Sequence, residues 1–173
     1  MKEKQPAIHI KVIQMALALC GFFVLFSCNQ PKNCKTPEEL GKTVFDLFQK
    51  QDAAKLKPYL LTKSEVEKAF GSSEQFRALT DEEKKIFVSS TYERNKEIGE
   101  SWIDFYTGKD KETSALLKAG KYESTEAAER KDNGTTVARI VVRFNENGKL
   151  HIINLNAAKV KDYWKLLSWI EVK

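Results

Sequence analysis

The hydrophobic period changes once along this chain, and that change sets the fold class. In the first part of the chain, apolar residues recur every three or four positions, as on the buried side of a helix. From about Lys121 they alternate with polar residues, as in a half-buried strand. One predicted strand buries Ala138, Ile140, Val142 and Phe144. Helices followed by strands predict an α+β domain, with the helices packed on one face of an antiparallel sheet.

Turn signals divide the second half into strands. The sequence NENG at Asn145–Gly148 predicts a hairpin turn between two strands. A last strand, YWKLLSWIEV, buries alternate residues that include Trp164. Tyr122–Arg130, followed by KDNG at Lys131–Gly134, indicates a fourth strand, with a helix as the alternative. The sheet is therefore expected to have three to four strands.

Capping signals mark the helices. Thr36 and Pro37 predict a helix start, and Asp52 can cap a short second helix. Capping boxes begin at Thr62 and at Thr80, and the second of them opens the longest helix, which is expected to end before Gly108. The residues of the long helix that recur near a 3.6-residue period, and are expected to be buried, are Phe87, Thr91, Ile98, Trp102 and Phe105.

The N-terminus is typical of a secretory signal peptide. Lys2, Lys4 and Lys11 precede an apolar run from Val12 to Phe26. That run is shorter than the ~20 apolar residues needed to cross a bilayer. A cleaved segment is therefore expected, with an uncleaved N-terminal anchor as the alternative.

The end of this run, Leu25-Phe26-Ser27-Cys28, resembles the lipobox of bacterial lipoproteins. The resemblance implies that diacylglycerol is attached to the Cys28 sulfur and that the chain is cut between Ser27 and Cys28. The expected organisation is a signal peptide (1–27), a lipidated tether (28–36) and one α+β domain (37–173). Because each buried CH₂ contributes ~0.8 kcal/mol to the free energy of membrane binding, two or three acyl chains hold a protein firmly at the membrane where one would not.

Partners and location follow from charge. The net charge is +5, with 29 basic and 24 acidic residues interspersed. The sequence has no dense block of basic residues of the kind that marks nucleic-acid binding, so no nucleic-acid partner is expected. The expected partners are the membrane, through the lipid, and an envelope protein or polymer. No acidic residue occurs between residues 29 and 37, and Asn29 replaces the aspartate that commonly retains lipoproteins in the inner membrane. The expected location is the outer membrane, facing the periplasm.

The cysteines leave one thiol unassigned. Cys20 is lost with the leader and Cys28 takes the lipid, so Cys34 remains alone in the tether, outside the expected core. A free thiol is favoured, and a disulfide to a partner or a second copy is the alternative. Without lipidation, a Cys28–Cys34 bridge would compete. One such cysteine and one mature-chain histidine, His151, cannot supply the usual zinc ligands, so no metal is expected, and no cofactor beyond the lipid on Cys28.

The element order and the closing sequence DYWKLL (Asp162–Leu167) resemble the nuclear-transport-factor-two-like or cystatin-like fold. In those proteins a curved sheet wraps a long helix into a cone with a pocket at its wide end. The helical segments between Thr62 and Leu79 depart from that pattern. The aromatic residues that would line such a pocket are Trp102, Tyr106, Phe144 and Trp164, and the alternative places them in a plain helix–sheet core.

No catalytic motif occurs in the sequence. Ketosteroid-isomerase-like members of the fold use a carboxylate base inside the cone. Asp104, Tyr106 and Tyr92 are suitable residue types, but no motif assigns them that role. The favoured function is a non-catalytic binding module. The alternatives are a small-ligand carrier and, less favoured, an isomerase-like enzyme with Asp104 buried under the sheet.

Overall fold

The computed structural model describes residues 32–173, in which helices precede strands. The helices are α1 (Pro37–Gln49), α2 (Ala53–Leu56), α3 (Lys63–Phe70), α4 (Glu74–Ala78), α5 (Asp81–Asp104) and α6 (Lys111–Ala119). The strands are β1 (Lys121–Asp132), β2 (Thr135–Glu146), β3 (Lys149–Val160) and β4 (Tyr163–Val172). A 3₁₀ turn covers Lys57–Tyr59, and a π-helical turn covers Phe105–Lys109. The predicted α+β class is confirmed.

The predicted signal peptide and lipobox, including Ser27 and Cys28, lie outside the described residues. Within the described part of the chain, no helix has the length and apolar character needed to span a membrane.

The four strands form one antiparallel meander in the order β1-β2-β3-β4. Both predicted Asn-Gly turns form, because Asn133-Gly134 and Asn147-Gly148 all take positive φ, at 49°, 86°, 51° and 83°. Two-residue turns of this kind match the twist of the paired strands. The strand prediction for Tyr122–Arg130 is confirmed, and the helical alternative is wrong.

The first face of the sheet carries the main core. Helix α1 lies across β1 and β2, and Gly41 allows a close approach, since a Cβ there would come within 2.7 Å of Ile140. The predicted inward residues of β2 are buried in this core, as are Trp164, Leu166 and Ile170 of β4, whereas Val172 is only partly buried. The core also contains Phe45, Phe48, Ile103, Ile153 and Leu155. Helix α6, which the sequence analysis did not predict, adds Leu117.

The second face of the sheet is also partly covered, which corrects the expectation of helices on one face. Ala157 and Ala158 are neighbours in β3 and point to opposite faces, yet both are fully buried. The residues of the second core are Leu61, Val66, Ala69, Phe76, Val88, Ala158 and Val160. Helices α3 and α4 and the first part of α5 therefore cover the second face.

The buried stripe predicted for the long helix is wrong by about one position. The buried residues of α5 are Val88, Asn95, Gly99 and Ile103, whereas Phe105 is exposed. A Cβ at Gly99 would lie 2.5 Å from Leu60, so the closest contact requires the residue with no side chain. Hydrophobicity did not mark this face because a glycine and an asparagine occupy it.

The outer edge of β4 is tied to the start of the domain. The Trp164 N–H donates to the Cys34 carbonyl at 2.9 Å, and Leu60 forms a second bridge to Leu166. Cys34 is fully buried, and its thiol donates to the Thr43 Oγ1 at 3.8 Å. The placement of Cys34 outside the core is therefore wrong, because this residue is part of the main core.

Candidate functional site

The four residues expected to line a cone pocket lie in or against the core. Phe144, Trp164 and Tyr106 are buried, and Trp102 is half-buried. The Trp102 and Tyr106 rings stack at 5.5 Å, and the Tyr106 hydroxyl accepts the Val172 N–H at 3.3 Å. Neither cavity described below is lined by any of the four.

The candidate catalytic groups are not placed for chemistry. The Asp104 side chain is 35% exposed, and it pairs with Lys57 at 3.0 Å and with Lys109 at 4.0 Å. It therefore does not lie buried beneath the sheet. His151 is buried and stacks on Phe144, with ring centroids 5.4 Å apart. This histidine packs in the interior.

A buried polar cluster, which the sequence analysis did not identify, joins α3 to β4. The Lys165 Nζ lies 3.2 Å from the Glu65 Oε1 and donates to the Pro58 carbonyl at 2.7 Å. The Tyr163 hydroxyl donates to the same Glu65 oxygen at 2.8 Å. The Thr62 N–H and hydroxyl donate to the other oxygen, each at 2.8 Å. The predicted capping box thus also holds a buried ion pair.

The pKa values of this cluster indicate a structural role. Burial alone would raise the pKa of Glu65, but hydrogen bonds from Thr62 and Tyr163 and the Lys165 charge outweigh it, so the pKa is lowered. Burial, with the hydrogen bond to Glu65, raises the pKa of Tyr163 to about 12. A phenol that keeps its proton at neutral pH, bonded to a carboxylate that is already fully paired, is not available as a general base.

One cavity, of about 740 Å³, lies between α3 and the first half of α5. Its rim is charged, and Lys84 pairs with Asp81 at 3.7 Å across one side. Its lining is Lys63, Ser64, Glu67, Phe76, Asp81, Lys84, Lys85, Val88 and Ser89. Because acids accompany the lysines, the charges do not select one sign of ligand.

A smaller cavity, about 400 Å³, is named here the α4 cavity, since it lies between α4, α5 and the β1–β2 hairpin. Phe87 packs edge-on against Phe70 at 5.9 Å and against Phe76 at 5.6 Å. The full lining is Phe70, Ser73, Gln75, Phe76, Leu79, Phe87, Asp132, Asn133, Thr135 and Val137. Phe76 also lines the larger cavity, so both cavities adjoin helix α4.

Thr135 is the unusual member of this lining. It is only 3% exposed, and its hydroxyl has no hydrogen-bond partner within residues 32–173. Burying an unpaired hydroxyl destabilises a fold, so such groups are rare without a reason. Nothing in the sequence marked Thr135, because its environment comes from helices distant in the chain.

The hairpin wall of the cavity is held by the β1–β2 turn. The Ser72 hydroxyl donates to the Gly134 carbonyl at 3.0 Å, which joins the turn to the loop before α4. Gly134 has a φ of 86°, and a Cβ there would lie 3.0 Å from the Ser72 carbonyl oxygen. Glycine is required here both for its backbone conformation and for the close approach.

We expect Gly134→Ala to lower the free energy of unfolding by about 1–3 kcal/mol, through backbone strain and displacement of the hairpin. The matched control is Gly148→Ala, because Gly148 has a φ of 83° but nothing within 4 Å of its Cβ position. Urea unfolding of both variants separates strain from contact. Equal losses of unfolding free energy in the two variants would show that the close approach of Gly134 to Ser72 adds nothing to the effect of the backbone strain.

No group of His, Cys, Asp or Glu side chains in residues 32–173 is arranged to hold a metal ion. No match to this chain was found among protein-family models, curated proteins or solved structures.

Proposed function

We propose that this chain is a lipid-anchored lipoprotein of the bacterial cell envelope that acts as a binding module without chemistry of its own. The observation that carries the anchor is the apolar run that ends at Leu25-Phe26-Ser27-Cys28 after a lysine-rich leader. Two or three acyl chains on Cys28 would hold the domain at the membrane.

The geometry of the domain supports binding over catalysis. The expected pocket residues are packed into or against the core, Asp104 is open to solvent and ion-paired, and the buried Glu65 cluster is internally satisfied. Both of the cavities described above adjoin helix α4, since each is lined by Phe76. Concave sites with an apolar floor and a polar rim are the usual form of small binding sites.

We expect the chain to take up a clickable palmitate analogue when it is expressed in a bacterial host, and Cys28→Ala to abolish the label and the membrane association. The control is Cys34→Ala, which removes the buried thiol and should keep both. The intact mass of the wild-type protein should correspond to a chain that begins at Cys28 and carries lipid. An unlabelled wild-type chain with an intact mass for residues 1–173 would contradict the anchor.

The proposed location is the outer membrane, with the domain facing the periplasm. Density separation of the two membranes, followed by protease treatment of whole cells, tests it. Protection in whole cells and cleavage after the outer membrane is opened are expected. Cleavage in whole cells would place the domain on the cell surface instead.

A further inference from the structure

We infer that the α4 cavity binds a small, uncharged aromatic compound that carries a hydroxyl group. This inference rests on the binding role proposed above, but not on the lipid anchor. The site lies wholly within the described domain, on the second face of the sheet, away from the core positions expected to line a cone.

The size and walls of the cavity favour a ring. A volume of about 400 Å³ is at the small end of ligand sites. Phe70, Phe76 and Phe87 contribute three ring walls, already arranged edge to face at interplanar angles of 71° and 68°. Aromatic rings prefer such edge-to-face contacts, so a further ring entering between these walls gains more than an aliphatic group of equal area.

The polar wall favours a hydroxyl on that ring. The Thr135 hydroxyl is buried and unpaired in the described domain, and it can both donate and accept a hydrogen bond. A ligand hydroxyl would satisfy it in the bound state. The Ser73 hydroxyl, by contrast, already accepts the Phe76 N–H at 3.1 Å. Of the buried side-chain atoms in residues 32–173 that have no hydrogen-bond partner, the Thr135 hydroxyl is the one that belongs to the lining of this cavity.

The surroundings of the cavity favour a small molecule over an extended chain. The lining comes from the end of α3, from α4, from α5 and from the hairpin, so walls stand on several sides. Asp132 is the acidic group in the lining, and it lies 3.7 Å from Arg130 on its own strand. With no lysine or arginine among the lining residues, an anionic ligand has no counter-ion here.

The test uses 4-fluorophenol and fluorobenzene as probes, which differ by the hydroxyl. The full-length protein is purified in a mild detergent, and each probe is titrated and followed by ¹⁹F NMR, with protein-free micelles as the blank. We expect saturable binding, with 4-fluorophenol preferred about tenfold over fluorobenzene. Thr135→Val keeps the shape of the side chain and should remove that preference.

The same variant gives a second readout. Because Thr135→Val replaces an unpaired buried hydroxyl by a methyl group, it should raise the melting temperature of the unliganded protein by a few degrees. A substitution that stabilises the fold but weakens binding is typical of a functional position. Thr135→Ser, which restores the hydroxyl, should restore the preference for 4-fluorophenol.

Several outcomes would overturn the inference. The first is the absence of saturable binding. The second is an unchanged preference for 4-fluorophenol in Thr135→Val. The third is equal binding of the two probes by the wild-type protein, as would follow if water satisfied the Thr135 hydroxyl. If Thr135→Val fails to fold, the ring resonances of labelled phenylalanine in the wild type decide: shifts at Phe70, Phe76 and Phe87 support the site, and shifts confined elsewhere refute it.

The two proposals fail separately. A wild-type chain that takes up no palmitate label would refute the anchor without changing probe binding, since the cavity residues lie far along the chain from Cys28. Conversion of bound 4-fluorophenol into a new fluorine resonance would contradict the non-catalytic role and leave the site in place.

Discussion

Replacing Trp164 by alanine is expected to lower the free energy of unfolding by about 3–5 kcal/mol. Trp164 is 1% exposed, and its backbone N–H closes the bridge to Cys34 at the edge of β4. Truncation would remove its packing and leave a cavity in the main core, where the surrounding helices and strands can collapse only in part.

The matched control for Trp164→Ala is Trp169→Ala. Trp169 lies on the same strand but on the opposite face, and it is 38% exposed. Its replacement should cost about 1 kcal/mol or less. Urea unfolding of both variants measures the difference. If Trp164→Ala stayed within about 1 kcal/mol of the wild type and instead lost a bound small molecule, Trp164 would line a pocket, as the carrier alternative requires.

Glu65→Gln is expected to destabilise the domain by about 3–5 kcal/mol, because it leaves the Lys165 ammonium buried without its carboxylate. The two side chains are 10% and 8% exposed, so solvent cannot replace the lost partner. The double variant Glu65→Gln with Lys165→Met removes both charges and should recover most of the loss. Glu67→Gln, on the exposed side of the same helix, should change little.

The pH dependence gives the Glu65 cluster a second test. Since the pKa of Glu65 is lowered below its ordinary value of 4.5 in the folded state, the stability that it contributes is present above pH 4.5. That stability is lost as the pH falls through the lower, folded-state value. Glu65→Gln should therefore lose less stability than the wild type over this acidic range. Parallel pH curves for the two proteins would show that the ionised carboxylate contributes nothing.

Features that depend on a few neighbouring residues could be predicted from the sequence. The alternation in β2 named its buried side chains correctly, and Asn-Gly placed the two turns. The capping boxes at Thr62 and Thr80 placed the starts of α3 and α5. These signals are local, because hydrogen bonds and side-chain period act within one turn or one strand.

The tertiary structure decided what depends on contacts between distant segments. The face of α5 that is buried follows from its approach to Leu60, and Cys34 is buried because a bridge to Trp164 draws it into the sheet. The α4 cavity joins Phe76 and Phe87 to Thr135, residues that no sequence period relates. The sequence by itself determined the fold class and those elements that carry a capping, turn or alternation signal, because local hydrogen bonding and side-chain period specify them. Only the packing of helices on both sides of the sheet decided which polar groups are buried and where the cavities lie.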